Sequence, residues 1–263
     1  MSNVSQITDL LAAAQDDGDI DPQTFAALGQ LNIANSLVPT FGLPADTFAQ
    51  NEVILVSLLI DDSGSIEFGN NVQNMTDGHN LLIDAFKGAK QQDNVLWMCQ
   101  TLNGKVISPW CELNQAPRLP NAKYKAIHGT PLYDATMVHL ASVLMKFKEF
   151  EVAGVPARTI TGLVTDGMDE HSRKHRAVDV CRFIESLTGR EHHILAGMGI
   201  QYQQTPFKQV FGEMGIPDKW ILTPKSDPKE IRAAFQTLSQ SAVRASQSAA
   251  SFSQQSAGGF GAP

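Results

Sequence analysis

The run Val53-Ile54-Leu55-Val56-Ser57-Leu58-Leu59-Ile60 has no polar alternation and is followed at once by Asp61-Asp62-Ser63-Gly64-Ser65. A run of this length that is apolar but for Ser57 predicts a strand buried on both faces. Arg158 to Thr165 and His193 to Met198 predict two more such strands, and Trp220 to Thr223 a short one. Helical spacing lies between them: Asn74 to Lys87, Pro131 to Glu151, and Arg173 to Leu187, the last stopped by Gly189. Thr205-Pro206 predicts a capped start for a short helix through Met214. Asn94 to Leu102 and Lys105 to Ser108 predict a hairpin turned at Asn103-Gly104. The last helix opens with Asp227 as cap, Pro228 first and Glu230 third, and Ile231, Ala234, Phe235 and Leu238 share one face. Strand-helix alternation predicts a doubly wound α/β sheet, mainly parallel, with an edge hairpin.

The ends have a different character. Residues 1–50 predict a small helical appendage and linker, residues 51–246 the core domain, and residues 247–263 a flexible Ser/Ala/Gln/Gly-rich tail, with a helical extension near its start as the alternative. Within the appendage, Ile7 to Ala14 reads as a helix, and Asp21-Pro22 as a helix start. The acidic stretch from Asp16 to Asp21 superficially resembles a calcium loop. It lacks the ligand spacing and closing Glu of an EF-hand, so a polar turn between helices is the better reading. Gly258-Gly259-Phe260-Gly261 offers a docking motif, against the default of an unstructured end.

Composition narrows the function classes. The 263 residues carry 20 Lys and Arg against 27 Asp and Glu, a net charge of −7, which argues against a broad nucleic-acid surface. Lys123 with Lys125, and Arg173-Lys174-His175-Arg176, are the local basic candidates; the second reads as a solvated helix face. Cys99, Cys111 and Cys181 show no paired spacing, which fits free thiols in a reducing compartment. The opening residues show no secretory pattern and no apolar run is long enough for a membrane span, so the expectation is a cytoplasmic protein.

The chemistry gathers where strands end. Ligands of open α/β sheets bind at the carboxyl edge. The first buried strand delivers Asp61, Ser63 and Ser65 there, the second delivers Asp166-Gly167, and Gly129-Thr130-Pro131 precedes the long helix. Two carboxylates and three hydroxyls from three loops form a hard-oxygen set suited to Mg²⁺, with Mn²⁺ or Ca²⁺ as alternatives. Each residue also has a plainer role: Thr130 a helix cap, Ser63 and Ser65 turn caps, Asp61 an acceptor of turn amides, Asp166-Gly167 a strand-end turn.

Asp61-x-Ser63-x-Ser65, then Thr130, then Asp166-Gly167, in this order and on these elements, resembles the metal-ion-dependent adhesion site of von Willebrand factor A domains. The resemblance covers roughly residues 53–246. It implies a mainly parallel six-stranded sheet with one antiparallel edge strand. It implies that Ser63, Ser65 and Thr130 are hydroxyl ligands, while Asp61 and Asp166 act directly or through water. It also implies a binding module that captures an Asp or Glu of a partner protein. More narrowly, Leu59 to Ile66, Gly129 to Asp134 and Thr165-Asp166-Gly167 resemble bacterial stand-alone A-domain proteins of tellurite-resistance-type stress systems. That likeness implies kinase, phosphatase or ATPase components as partners; the acidic balance and the short apolar runs add the expectation of neither nucleic acid nor membrane.

Asp62, His128, Asp169 and His171 are the expected partner-binding rim. His171 and His175, four apart, have metal-ligand spacing on a helix but no HExxH pattern around them. His192-His193 and the three tryptophans read as packing residues. A metal-assisted hydrolase or phosphoryl-transfer enzyme is the alternative function, although the chain carries no P-loop and no nucleophile elbow. A scaffold in an RNA-associated assembly is the second alternative.

Overall fold

A computed structural model describes residues 3–68, 71–120, 124–201 and 204–261. Lys123, one of the two lysines of the first basic candidate, lies outside them, as do the two terminal residues of the expected tail. The centre is a six-stranded sheet of order β3-β2-β1-β4-β5-β6. Its strands are β1 (Val53–Ile60), β2 (Val95–Thr101), β3 (Val106–Glu112), β4 (Ala157–Thr165), β5 (His193–Gly199) and β6 (Ile221–Leu222). Only the β2–β3 pair is antiparallel, and every residue of β1, β2 and β5 is buried. The sequence therefore had no polar alternation to show in these three strands.

The helices are α1 (Asn3–Asp16), α2 (Pro22–Leu28), α3 (Ile33–Ser36), α4 (Gly64–Phe68), α5 (Val72–Lys87), α6 (Leu132–Val152), α7 (Ala177–Thr188), α8 (Phe207–Glu213), α9 (Pro228–Ser246) and α10 (Ala249–Gly258). Helices lie on both faces. Ser57 of β1 meets His139 of α6 on one face, at 3.1 Å. On the other, a Cβ at Gly162 of β4 would lie 2.8 Å from Leu58 and 3.6 Å from Leu238 of α9. α5 packs on α9 so closely that a Cβ at Gly78 would lie 2.1 Å from the Phe235 ring.

The structure corrects several expectations. The N-terminal residues are no separate appendage: Ile7, Leu10, Leu11, Ala14, Leu28 and Phe41 belong to the main apolar core. They cover the outer side of α6, whose remaining faces already meet the sheet and α7. Polar side chains on that outer side are matched across the contact. Lys146 Nζ donates to the Leu43 carbonyl at 2.7 Å, Ser142 meets Thr40 at 2.6 Å, and Glu149 accepts the Ala45 amide at 3.2 Å. The acidic turn after α1 is also accounted for. Lys148 Nζ lies 2.6 Å from Asp17 and 2.9 Å from Asp19 and bonds Glu151, so an ammonium group stands where a bound cation would.

At the other end, residues 249–258 are helix rather than flexible tail, with Ser248 as N-cap. Phe252 is fully buried, and Phe260 stacks edge-on to Trp220 at 4.9 Å. Lys219 Nζ donates to the carbonyls of Ser256 and Ala257, so the glycine-rich end packs on its own chain. The helix expected from Arg173 begins only at Ala177. Asp134 accepts the amides of Arg173, Lys174 and His175, which holds this segment as a loop over the start of α6. Thr205 does not cap α8: Pro206 holds the cap position with no side-chain cap hydrogen bond.

Candidate metal centre

β1 delivers Asp61 to the carboxyl edge as a fully buried side chain. Its Oδ1 accepts the Ser63 amide at 2.7 Å; its Oδ2 accepts the Thr165 hydroxyl at 2.6 Å and the Asp166 amide at 3.3 Å. The turn-amide role open to Asp61 is thus realised, and the same carboxylate ties the β1 loop to the β4 loop. Ser63 Oγ lies 2.8 Å from Ser65 Oγ, and Ser65 Oγ donates to Asp166 Oδ1 at 2.5 Å. The chain of oxygens Ser63–Ser65–Asp166 is continuous.

Thr130 joins them from the third loop. Its helix-cap role is not taken up, because Pro131 occupies the cap position of α6 without a side-chain cap hydrogen bond. The loop is held through its backbone instead: the Thr130 amide donates to His171 Nδ1 at 3.0 Å, and its carbonyl accepts the Glu170 amide at 3.1 Å. The Thr130 hydroxyl faces the Asp166 loop, where a Cβ at Gly167 would lie 3.6 Å away. Ser63, Ser65, Thr130, Asp166, His128 and His171 line one cavity of about 290 Å³.

The electrostatics of this group are unbalanced. Burial, opposed by the Ser65 hydrogen bond and reinforced by the Asp61 charge, pushes the Asp166 carboxyl up to about 7. Burial also raises Asp61, against the hydrogen bonds it accepts. Asp166 Oδ2 is buried with no hydrogen-bond partner. Among the described residues no Lys or Arg pairs with either carboxylate. Two buried carboxylates with an orphan oxygen, beside three hydroxyls, fit a hard divalent cation.

The structure brings all five expected ligand residues to one place; the rim residues divide. His128 and His171 face the cavity and are exposed. Asp62 turns away: it is buried, and its Oδ1 accepts the Asn103 side-chain amide at 2.8 Å and backbone amide at 3.2 Å. Asp169 is occupied by the Tyr133 amide and the Ser172 hydroxyl. His171 and His175 do not share a helix face: His175 is buried, with Nδ1 3.0 Å from Asp134.

Three contributors escaped the sequence. Asn103 also donates to the Gly129 carbonyl at 2.8 Å, so the hairpin turn braces both site loops. Thr165 holds Asp61 Oδ2. Tyr124 donates to the Asp61 carbonyl at 2.9 Å. Asn103 had already been explained by its turn, and nothing in the sequence marks Tyr124.

No family model matches the chain, and no curated protein matches it. Solved structures do. Proximal thread matrix protein 1 from the mussel byssus, with a zinc-occupied MIDAS motif, aligns at TM-score 0.52 and 14% identity over 73% of this chain and 46% of that one. The pilus adhesin SpaC from Lactobacillus rhamnosus GG, in its open conformation, aligns at TM-score 0.53 and 13% identity over 74% of this chain and 30% of that one. A von Willebrand factor type A protein from Catenulispora acidiphila aligns at TM-score 0.46 and 18% identity over 73% of this chain and 43% of that one. The fold is that of a von Willebrand factor A domain. The chain spans under half the length of these structures, and at such identities the A-domain likeness speaks for the fold alone.

Proposed function

We propose that this A-domain protein is a metal-dependent protein-binding module. The observation that carries the reading is the buried, unpartnered Asp166 Oδ2 at the end of the Ser63–Ser65–Asp166 chain. Ser63, Ser65, Thr130, Asp61 and Asp166 would hold Mg²⁺ directly or through water, and Mn²⁺ would serve in its place. A bound ion supplies an electrophilic position open to an outside carboxylate. The chain's own groups hold the three loops in register, keep Asp61 and Asp166 buried, and leave the cavity open at His128 and His171. A partner's Asp or Glu would enter there.

The reading is non-catalytic, supported by a sequence with no P-loop and no nucleophile elbow. Assignment of the partner to the kinase, phosphatase or ATPase components of a bacterial stress system rests on the three sequence marks around Asp61, Thr130 and Asp166. A cytoplasmic setting rests on the free cysteines. No helix of the described residues is long and apolar enough to cross a membrane.

Affinity capture in Mg²⁺ and in EDTA tests the reading, with wild type beside Asp61→Ala and Thr130→Ala. The expected result is a partner retained only by wild type and only with metal. Equal capture under all these conditions overturns it.

A further inference from the structure

We infer that His171 is the recognition residue of this site: its Nε2–H takes one oxygen of an incoming carboxylate while the bound ion takes the other. The inference rests on the metal-dependent reading above and names a group of this chain that selects the ligand.

Two contacts fix the ring and a third holds its backbone. The Thr130 amide reaches His171 Nδ1 at 3.0 Å. A backbone amide only donates, so Nδ1 presents its lone pair, and the neutral imidazole carries its proton on Nε2. The ring lies against Gly129: a Cβ there would fall 2.7 Å from Cγ and Nδ1 and 2.8 Å from Cδ2. Any other residue at position 129 would push the ring off. The backbone of His171 is held as well, its amide donating to the Thr130 carbonyl at 3.3 Å.

The ring is therefore a fixed donor at the cavity that Ser63, Ser65, Thr130 and Asp166 line. His171 is exposed, and among the described residues no acceptor takes Nε2–H. Asp169 Oδ1 is taken by the Tyr133 amide and the Ser172 hydroxyl, and Asp62 Oδ1 by Asn103, while Glu170 stands exposed at the rim of the same cavity. An outside carboxylate suits the arrangement because it has two acceptor oxygens and a charge. An alcohol can occupy the ion or the imidazole, without the charge that strengthens both contacts.

The test uses the full chain loaded with Mg²⁺ or Mn²⁺, with N-acetyl-glutamate amide as probe and N-acetyl-glutamine amide as control. Long-range ¹⁵N–¹H correlation should show the Nε2-protonated tautomer of His171. Its Nε2–H proton should move downfield with the glutamate probe and stay in place with the control. His171→Ala should weaken the probe about tenfold, the effect of losing one hydrogen bond to a charged group, with Mn²⁺ affinity by electron paramagnetic resonance nearly unchanged. His171→Gln, which can accept from Thr130 and donate outward, should recover most of the loss. Unchanged probe affinity in His171→Ala overturns the inference and leaves the metal-dependent reading standing. Metal-loaded wild type that binds glutamate no better than glutamine overturns both.

Discussion

Ser65 and Asp166, 101 residues apart in sequence, meet through a 2.5 Å hydrogen bond from the serine hydroxyl to Oδ1. With the bonds to Asp61 Oδ2 it closes the β1 loop on the β4 loop, and it leaves Asp166 Oδ2 buried without a partner. A carboxylate accepts at both oxygens in a settled structure, so the unused one marks where a ligand belongs.

Divalent cation should therefore stabilise the protein. At free Mn²⁺ or Mg²⁺ a hundredfold above its dissociation constant, the gain is about 2.7 kcal/mol, or roughly 5–10 °C in melting temperature for a chain of this size. EDTA should reverse it. Asp166→Asn should abolish the shift while changing the metal-free melting temperature little, because Asn keeps an acceptor for Ser65 and adds no charge. A metal-induced shift of the same size in that variant counts against the site.

Asn103 should matter more than a turn residue does. Its side chain donates to Asp62 Oδ1 and to the Gly129 carbonyl, bridging the loops of Asp61 and Thr130. Asn103→Ala leaves a buried carboxylate short of a donor, at a cost of about 2–3 kcal/mol. A double-mutant cycle with Asp62→Ala, read by denaturant unfolding, should return a coupling of about 1–3 kcal/mol. Additive losses would mean that the bridge carries no energy.

The sheet, and the gathering of Asp61, Ser63, Ser65, Thr130 and Asp166 at its carboxyl edge, were legible because both depend on local runs. Val53 to Ile60 is apolar at every position but Ser57 because β1 is the interior strand between β2 and β4, and Asp61 follows where the strand leaves the core. What the sequence hid was who spends which hydrogen bond on whom. Asp62 reads like Asp61 until Asn103 is found 41 residues away, and Arg173 to Arg176 reads as helix until Asp134 takes its amides. The N-terminal helices looked detachable because their apolar stripe is short. Their partner is the polar outer face of α6, which no periodicity advertises. Phe252, alone among small residues, looked like tail.

Acid should destabilise the protein through buried imidazoles. Burial holds His139 down to about 3, His193 to about 3 and His79 to about 4, against 6.5 for the free side chain. Their folded values are depressed, so the unfolded chain binds more protons, and stability falls as pH drops from 6.5 towards 4 and 3. Asp61 and Asp166, raised in the metal-free protein, act with the opposite sign. Comparing wild type with His139→Gln cancels the carboxylates. The variant should lose less stability between pH 6.5 and 4, by up to about 1.4 kcal/mol per pH unit. Parallel curves would show that His139 does not titrate on unfolding.

The C-terminal helix should be part of the folded unit. Phe252 is fully buried, and the Arg158 guanidinium lies 5.9 Å from its ring centroid. Removing a buried phenyl ring costs about 3–5 kcal/mol, transfer and cavity together, whereas the same change in a mobile tail costs nothing. Phe252→Ala should thus shift the denaturant midpoint for the whole chain, with the slope unchanged if α10 unfolds with the sheet. Exposed Ser253→Ala, one residue along, is the control and should leave the midpoint in place. A Phe252→Ala midpoint equal to wild type would return residues 249–258 to the status of a tail.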